Sequence, residues 1–106
     1  MTEYHAHVYF NAETFTEASR LREKLLDRIG GDKVSLLRHS CVGPHLSPMF
    51  EVLLDSGKLE PMIEFLELHR SGLSVLLHPV TEDDYKAHTD QAIWLGEILD
   101  LDLSKL

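Results

Sequence analysis

Residues 4–10, Tyr-His-Ala-His-Val-Tyr-Phe, constrain this chain more than any other stretch. Ala6, Val8 and Phe10 point one way and His5, His7 and Tyr9 the other. This is the period of a half-buried strand with an apolar back and a polar front. The following segments read as the layer that covers the back. Phe15, Ala18, Leu21, Leu25 and Ile29 recur at helical spacing. Thr14 and Glu17 have the spacing of a capping box, and Gly30-Gly31 ends the helix.

A second strand is expected over Val34–His39, with Val34 and Leu36 on one face and Leu37 on the other. The loop 40–45 follows, and Gly43-Pro44 marks its turn. Pro48–Leu54 predicts a third strand, with Phe50, Val52 and Leu54 opposite Met49, Glu51 and Leu53. Asp55-Ser56-Gly57 breaks it. Pro61 suits a helix start, Leu59, Met62, Phe65 and Leu66 form its stripe, and Gly72 lies just past its end. Residues 73–78, Leu-Ser-Val-Leu-Leu-His, form the last core strand, stopped by Pro79. Asp83 or Asp84 caps a third helix carrying Tyr85, His88, Ala92 and Leu95. The tail from Asp100 has alternating leucines and no assigned element.

The element order is β-α-β-β-α-β plus a C-terminal helix. That predicts one α+β domain over residues 1–106 with the ferredoxin-like, split-βαβ pattern. Its antiparallel sheet has the order 4-1-3-2, so the first strand lies between the last and the third. A chain of 106 residues buries a core with modest reserve, to which a homodimer would add.

Composition removes several functions. Eighteen acidic against ten basic residues, net −8, disfavour nucleic acid and anionic membranes. The single cysteine, Cys41, allows no disulfide within the chain and no cysteine-based zinc motif. The first residues lack a basic segment followed by an apolar one, and no apolar run is long enough for a bilayer. The expected setting is the cytoplasm.

Seven histidines stand out. In the expected sheet His5, His7, Tyr9, Glu51 and His78 share the open face. His5 and His78 sit at one rim on adjacent strands, about 4.8 Å apart, with His7 two residues further in and Glu51 beside it. Two histidines and a carboxylate suit non-haem iron, and three such ligands plus water equally suit zinc. The same residues could instead line an interface between stacked sheets. His45 lies on a loop at the opposite rim and reaches the site only if the loop folds over the face or crosses to a partner subunit. His88 reaches the same rim or caps its helix. His39 and His69 read as solvated or helix-terminal, Cys41 as a small loop residue, and Trp94 as core.

Several stretches together resemble the DOPA 4,5-dioxygenase family of small aromatic ring-opening enzymes. They are residues 4–10, Val42-Gly43-Pro44-His45 through Pro48–Val52, Gly72–Thr81, and His88-Thr89 with Ala92–Gly96, in order over nearly the whole chain. The resemblance implies an often dimeric ferredoxin-like domain that cleaves a catechol with O₂ at a metal. It implies Fe(II), with Zn(II) as the alternative, held by His5, His7, His45 and His78. Glu51 and His88 are then the catalytic side chains, with His88 or a spare strand histidine moving a proton. Tyr4, Tyr9, Phe50 and Leu76 are candidates to line an aromatic pocket. The chain departs from the pattern at Glu82, where glycine is expected, and at Ala87, where an acidic residue is expected. The alternative is a non-catalytic dimer module that binds a metal or small molecule.

Overall fold

The computed structural model describes residues 2–106. The elements are β1 (Glu3–Tyr9), α1 (Phe15–Ile29), β2 (Met49–Asp55), α2 (Leu59–His69), β3 (Val75–Pro79), α3 (Asp84–Ala87) and β4 (Ile93–Leu95), with short 3₁₀ turns between. The strands form one antiparallel sheet in the order β2-β1-β3-β4. Together with α1 and α2 this is an α+β architecture consistent with the ferredoxin-like pattern.

The apolar sets decide which face the helices cover. Ala6, Val8 and Phe10, Phe50, Val52 and Leu54, and Val75 and Leu77 join Ala18, Leu21 and Leu25 of α1 and Met62 and Leu66 of α2 in one buried cluster. Burying each larger apolar side chain is worth roughly 1.5–3 kcal/mol, so this cluster sets the strand register. The opposite face carries a smaller cluster, Tyr9, Met49 and Leu76, packed by Ala92, Trp94, Leu99 and Leu101.

The structure departs from the expected elements at both sheet edges. Residues 34–39 are not a continuous strand; they touch β2 only through the bridges Val34–Val52 and Arg38–Met49. Five residues, 34–38, lie against four, 49–52, so the edge bulges. The Ser35 hydroxyl causes it, because it accepts from the Glu51 backbone N–H at 2.9 Å in place of a main-chain carbonyl. The bulge exchanges the faces: Leu37 packs on the core, whereas Leu36 is 75% exposed. At the other edge the expected C-terminal helix is a single turn. Asp83 caps it through the Lys86 N–H at 2.9 Å. The chain then turns, and Ile93–Leu95 pairs with β3. Ile-Trp-Leu is a β-favouring run, and β3 offers it an unpaired edge.

The start of α1 also differs. Thr14 gives α1 no side-chain cap. Asn11 instead accepts from the Glu13 and Thr14 N–H groups, and Thr14 Oγ1 accepts from the Asn11 N–H, one turn earlier. Among the described residues no helix is long and apolar enough to cross a membrane.

Phe50 is fully buried among helix-side residues, and Tyr4 packs against the same cluster. Neither lines the histidine face. Replacing Phe50 with alanine should therefore cost about 3–5 kcal/mol of stability, read from urea unfolding. A loss under 1 kcal/mol would mean that this core is not packed as described.

Candidate metal centre

β1 presents His5 and His7 on the face away from the helices. His5 lies opposite His78 of β3, and His7 lies opposite Glu51 of β2. The His7 and His78 rings are parallel within 14°, with centroids 5.0 Å apart. Their Nε2 atoms are 2.9 Å apart. The His5 ring is 5.3 Å from that of His78 and 5.9 Å from that of His7.

Two more histidines arrive from outside the sheet. The loop before β2 folds over the histidine face, where His45 bridges to Leu101 and the Asp102 N–H donates to the Pro44 carbonyl at 2.7 Å. His45 thus enters the cluster within its own subunit, its ring 4.1 Å from that of His7. His88 follows α3, and its ring lies 4.0 Å from His78 and 5.9 Å from His45. His7, His45, His78 and His88 are buried and His5 is partly exposed. Two overlapping groups have ligand atoms within 4.8 Å of one another: His5, His7 and His78, and His7, His45 and His88.

Hydrogen bonds fix part of this arrangement. His78 Nδ1 donates to the Pro79 carbonyl at 3.0 Å, and His88 Nδ1 donates to the Asp84 carbonyl at 2.8 Å. The Tyr9 hydroxyl and His45 Nδ1 are 2.7 Å apart. Glu51 lies 3.4 Å from His5 Nδ1 and 3.9 Å from His7 Nδ1, and Glu3 lies 3.5 Å from His5 Nε2. Ala87 is fully buried, so a methyl group precedes His88 there.

Burial keeps His7, His45 and His78 neutral. It lowers His45 to about 4, helped by the neighbouring His88, and His78 to about 4. It drives His7 far below the ordinary range, with His45 and His78 adding repulsion. The Tyr9 phenol is pushed up by the same desolvation and stays protonated.

The donor set fits a divalent metal. Two nitrogens about 2.1 Å from a shared ion, at right angles, lie roughly 3.0 Å apart, which matches the His7–His78 pair. Without a cation the proton count is awkward. His78 spends its hydrogen on Pro79, so His7 Nε2 must donate to it. His7 Nδ1 is then bare and buried without a hydrogen-bond partner, on the side of Glu51. A cation at the Nε2 pair lets His7 carry its hydrogen on Nδ1, facing the carboxylate. Carboxylate support of this kind is common behind ligating histidines.

Tyr9, Leu76 and Trp94 form the apolar flank of the cluster, with the Tyr9 and Trp94 rings stacked 5.9 Å apart. Trp94, expected in the core, is half-buried instead, and its neighbour relation to Tyr9 follows from its place in β4. His39 and Cys41 are exposed, and His39 packs instead on Phe10 and Phe15. His69 ends α2 against Phe65.

The Dopa 4,5-dioxygenase family model matches residues 4–105. A DOPA 4,5-dioxygenase from Amanita muscaria is 31% identical over 113 residues, covering 98% of this chain and 49% of its own length. An uncharacterized 21.2 kDa protein from Botryotinia fuckeliana is 33% identical, covering 95% of this chain and 61% of its own. The chain thus spans about half to three fifths of the length of these curated relatives. The crystal structure of a "putative dioxygenase" from Nostoc punctiforme superposes with a TM-score of 0.86 at 31% identity, covering 98% of this chain and 90% of that one.

The lowered histidines make stability depend on pH. Above about 6.5 His45 and His78 are neutral in folded and unfolded chains alike. Between 6.5 and about 4 the unfolded chain binds protons that the fold refuses, so stability falls as pH falls. Each residue contributes on the order of 3 kcal/mol across that window. Melting of chelator-treated protein should drop steeply from pH 6.5 to 4.5, and less steeply in His78→Gln. Equal slopes in the two proteins would show that His78 is not buried neutral.

Proposed function

Because the chain belongs to the Dopa 4,5-dioxygenase family, we propose that it is a metal-dependent oxygenase that opens a catechol-type ring beside its two oxygens. The carrying observation is the His7–His78 pair, 2.9 Å apart inside a buried group of histidines whose orphaned His7 Nδ1 calls for a cation. His7 and His78 hold the metal with one further histidine of the cluster. A bound Fe(II) would supply Lewis acidity toward the catechol oxygens and the redox chemistry that O₂ requires; Zn(II) would supply only the first.

The chain's own groups supply the rest. Tyr9, Leu76 and Trp94 offer an apolar, aromatic flank to the ring of a bound catechol. The overlying loop and the tail around Leu101 exclude water from the buried imidazoles. Losing its hydroxyl protons is what a catechol must do before cleavage, and neutral imidazoles are suitable acceptors. Glu51 and Glu3 flank the two nitrogens of His5, which reaches solvent. Glu51 then acts by orienting His5 and His7, not by attacking the substrate. Assembly as a homodimer belongs to this reading, supported by the exposed Leu36, Leu68 and Ile98 and by the open edge of β4. A reducing cytoplasm suits both Fe(II) and the exposed thiol of Cys41.

The test is anaerobic reconstitution with Fe(II), addition of DOPA or simple catechols, and admission of air. A coloured semialdehyde and stoichiometric O₂ uptake are expected, with His78→Ala reduced to background in both metal retention and turnover. Bound iron with no uptake on any catechol would leave a binding module and remove the dioxygenase reading.

A further inference from the structure

The five clustered histidines differ in what stands behind each ring, and that difference divides their roles. His78 and His88 face backbone carbonyls through Nδ1. A carbonyl can only accept, so in each neutral ring the hydrogen sits on Nδ1 and Nε2 is bare. That is the usual support of a ligating histidine. His45 is different, because its Nδ1 faces the Tyr9 hydroxyl at 2.7 Å.

Two arrangements of that bond exist, and burial separates them. Tyr9 is only 3% exposed. If His45 donated, the phenol hydrogen would have to find another acceptor, and His45 is the one hydrogen-bond partner described for the Tyr9 hydroxyl. A buried donor without a partner costs about 1–3 kcal/mol. If the phenol donates, every hydrogen is used, and the Tyr9 oxygen loses little by accepting nothing. His45 Nδ1 is then the acceptor, and its Nε2 carries the hydrogen.

We propose that Tyr9 is a positioning residue that fixes His45 as a hydrogen-bond donor toward an anionic oxygen of the bound small molecule, and that His45 is not a metal ligand. Without His45, the group whose ligand atoms lie within 4.8 Å of one another is His5, His7 and His78, and Glu51 stands 3.4 Å behind His5 Nδ1. The ligands are then His5, His7 and His78. This takes His45 out of the ligand set that the family resemblance implies. The chemical match for the His45 N–H is a catecholate oxygen or the oxyanion of a ring-opened product. The His45 ring is 4.1 Å from that of His7, so such a donor stands beside the metal ligands. The stacking of Tyr9 on Trp94, at 5.9 Å and 21°, holds the phenol in line.

The ligand half of this inference rests on the metal-dependent reading; the tautomer half does not. Long-range ¹H–¹⁵N spectra of the metal-free, ¹⁵N-labelled protein near pH 7 test the latter. Expected are Nδ1–H forms for His78 and His88 and an Nε2–H form for His45. Tyr9→Phe should shift only His45 toward a mixture. An Nδ1–H form of His45 in the unaltered protein would overturn the proposal, whatever the metal does. Titration with cobalt(II) tests the ligand half. His45→Gln should keep one cobalt ion with the same visible bands and an affinity within about 10-fold, whereas His5→Gln should lose roughly 100-fold or more. The opposite ranking would overturn it. Absence of cobalt binding by the unaltered protein would instead sink the metal-dependent reading, while the tautomer spectra still decide the role of Tyr9.

Discussion

β1 is hydrogen-bonded on both sides, and the histidine cluster exists because of it. With β2 on one side and β3 on the other, each of its residues has a fixed neighbour across both ladders. A slip of one residue would turn His5 and His7 into the helix-side core and bring Ala6 and Val8 to the polar face. What prevents the slip is apolar. Ala6, Val8, Phe50, Val52, Val75 and Leu77 have no exposed surface, and their burial outweighs any single histidine contact. The back of the sheet sets the register, and the front carries the imidazoles along in that register.

That division explains what could be read from the sequence. His5, His7, Glu51 and His78 lie on regular strands, so residue parity is enough to bring them to one face. His45 could not be placed, because its position depends on contacts with Pro44, Leu101 and Asp102, and pairings between residues so far apart in sequence leave no local periodic trace. The 34–39 edge misled for a local reason: the Ser35 hydroxyl competes with the main chain for Glu51, and no apolar pattern records that. The 84–95 segment misled because Tyr85, His88, Ala92 and Leu95 happen to fit a helical stripe. The open edge of β3 overrode that pattern. Tyr9 was legible as a residue of the histidine face, but its hydrogen bond to His45 required the folded loop.

The electrostatics run against the stability of the metal-free fold. Four imidazoles are buried together, and none has a buried carboxylate as a direct partner. His7, His45 and His78 stay neutral at the expense of acid stability. A cation bound only by the folded chain recovers part of that loss by mass action. Glu51 and Glu3 sit at the margin of the cluster, where their charge reaches it without themselves being buried. The core of α1, α2 and the sheet carries the fold, and this leaves the open face free to hold groups that stability alone would not select.

The tautomers within the cluster are held in two ways, and the ways differ in what can change them. His78 and His88 are oriented by carbonyls of Pro79 and Asp84, one and four residues away on the same turn. No side-chain substitution removes a carbonyl, so these two rings are tied to the local backbone. His45 depends on the side chain of Tyr9, 36 residues away, and through it on the Trp94 and Leu101 packing that closes the face. A change in that second cluster alters the hydrogen-bond donor offered to a bound molecule and leaves the backbone-held rings where they are. Under the proposed reading, therefore, metal retention and substrate choice are separable in this fold. The first is built into strand and turn geometry, and the second into the packing of Tyr9 against the C-terminal segment.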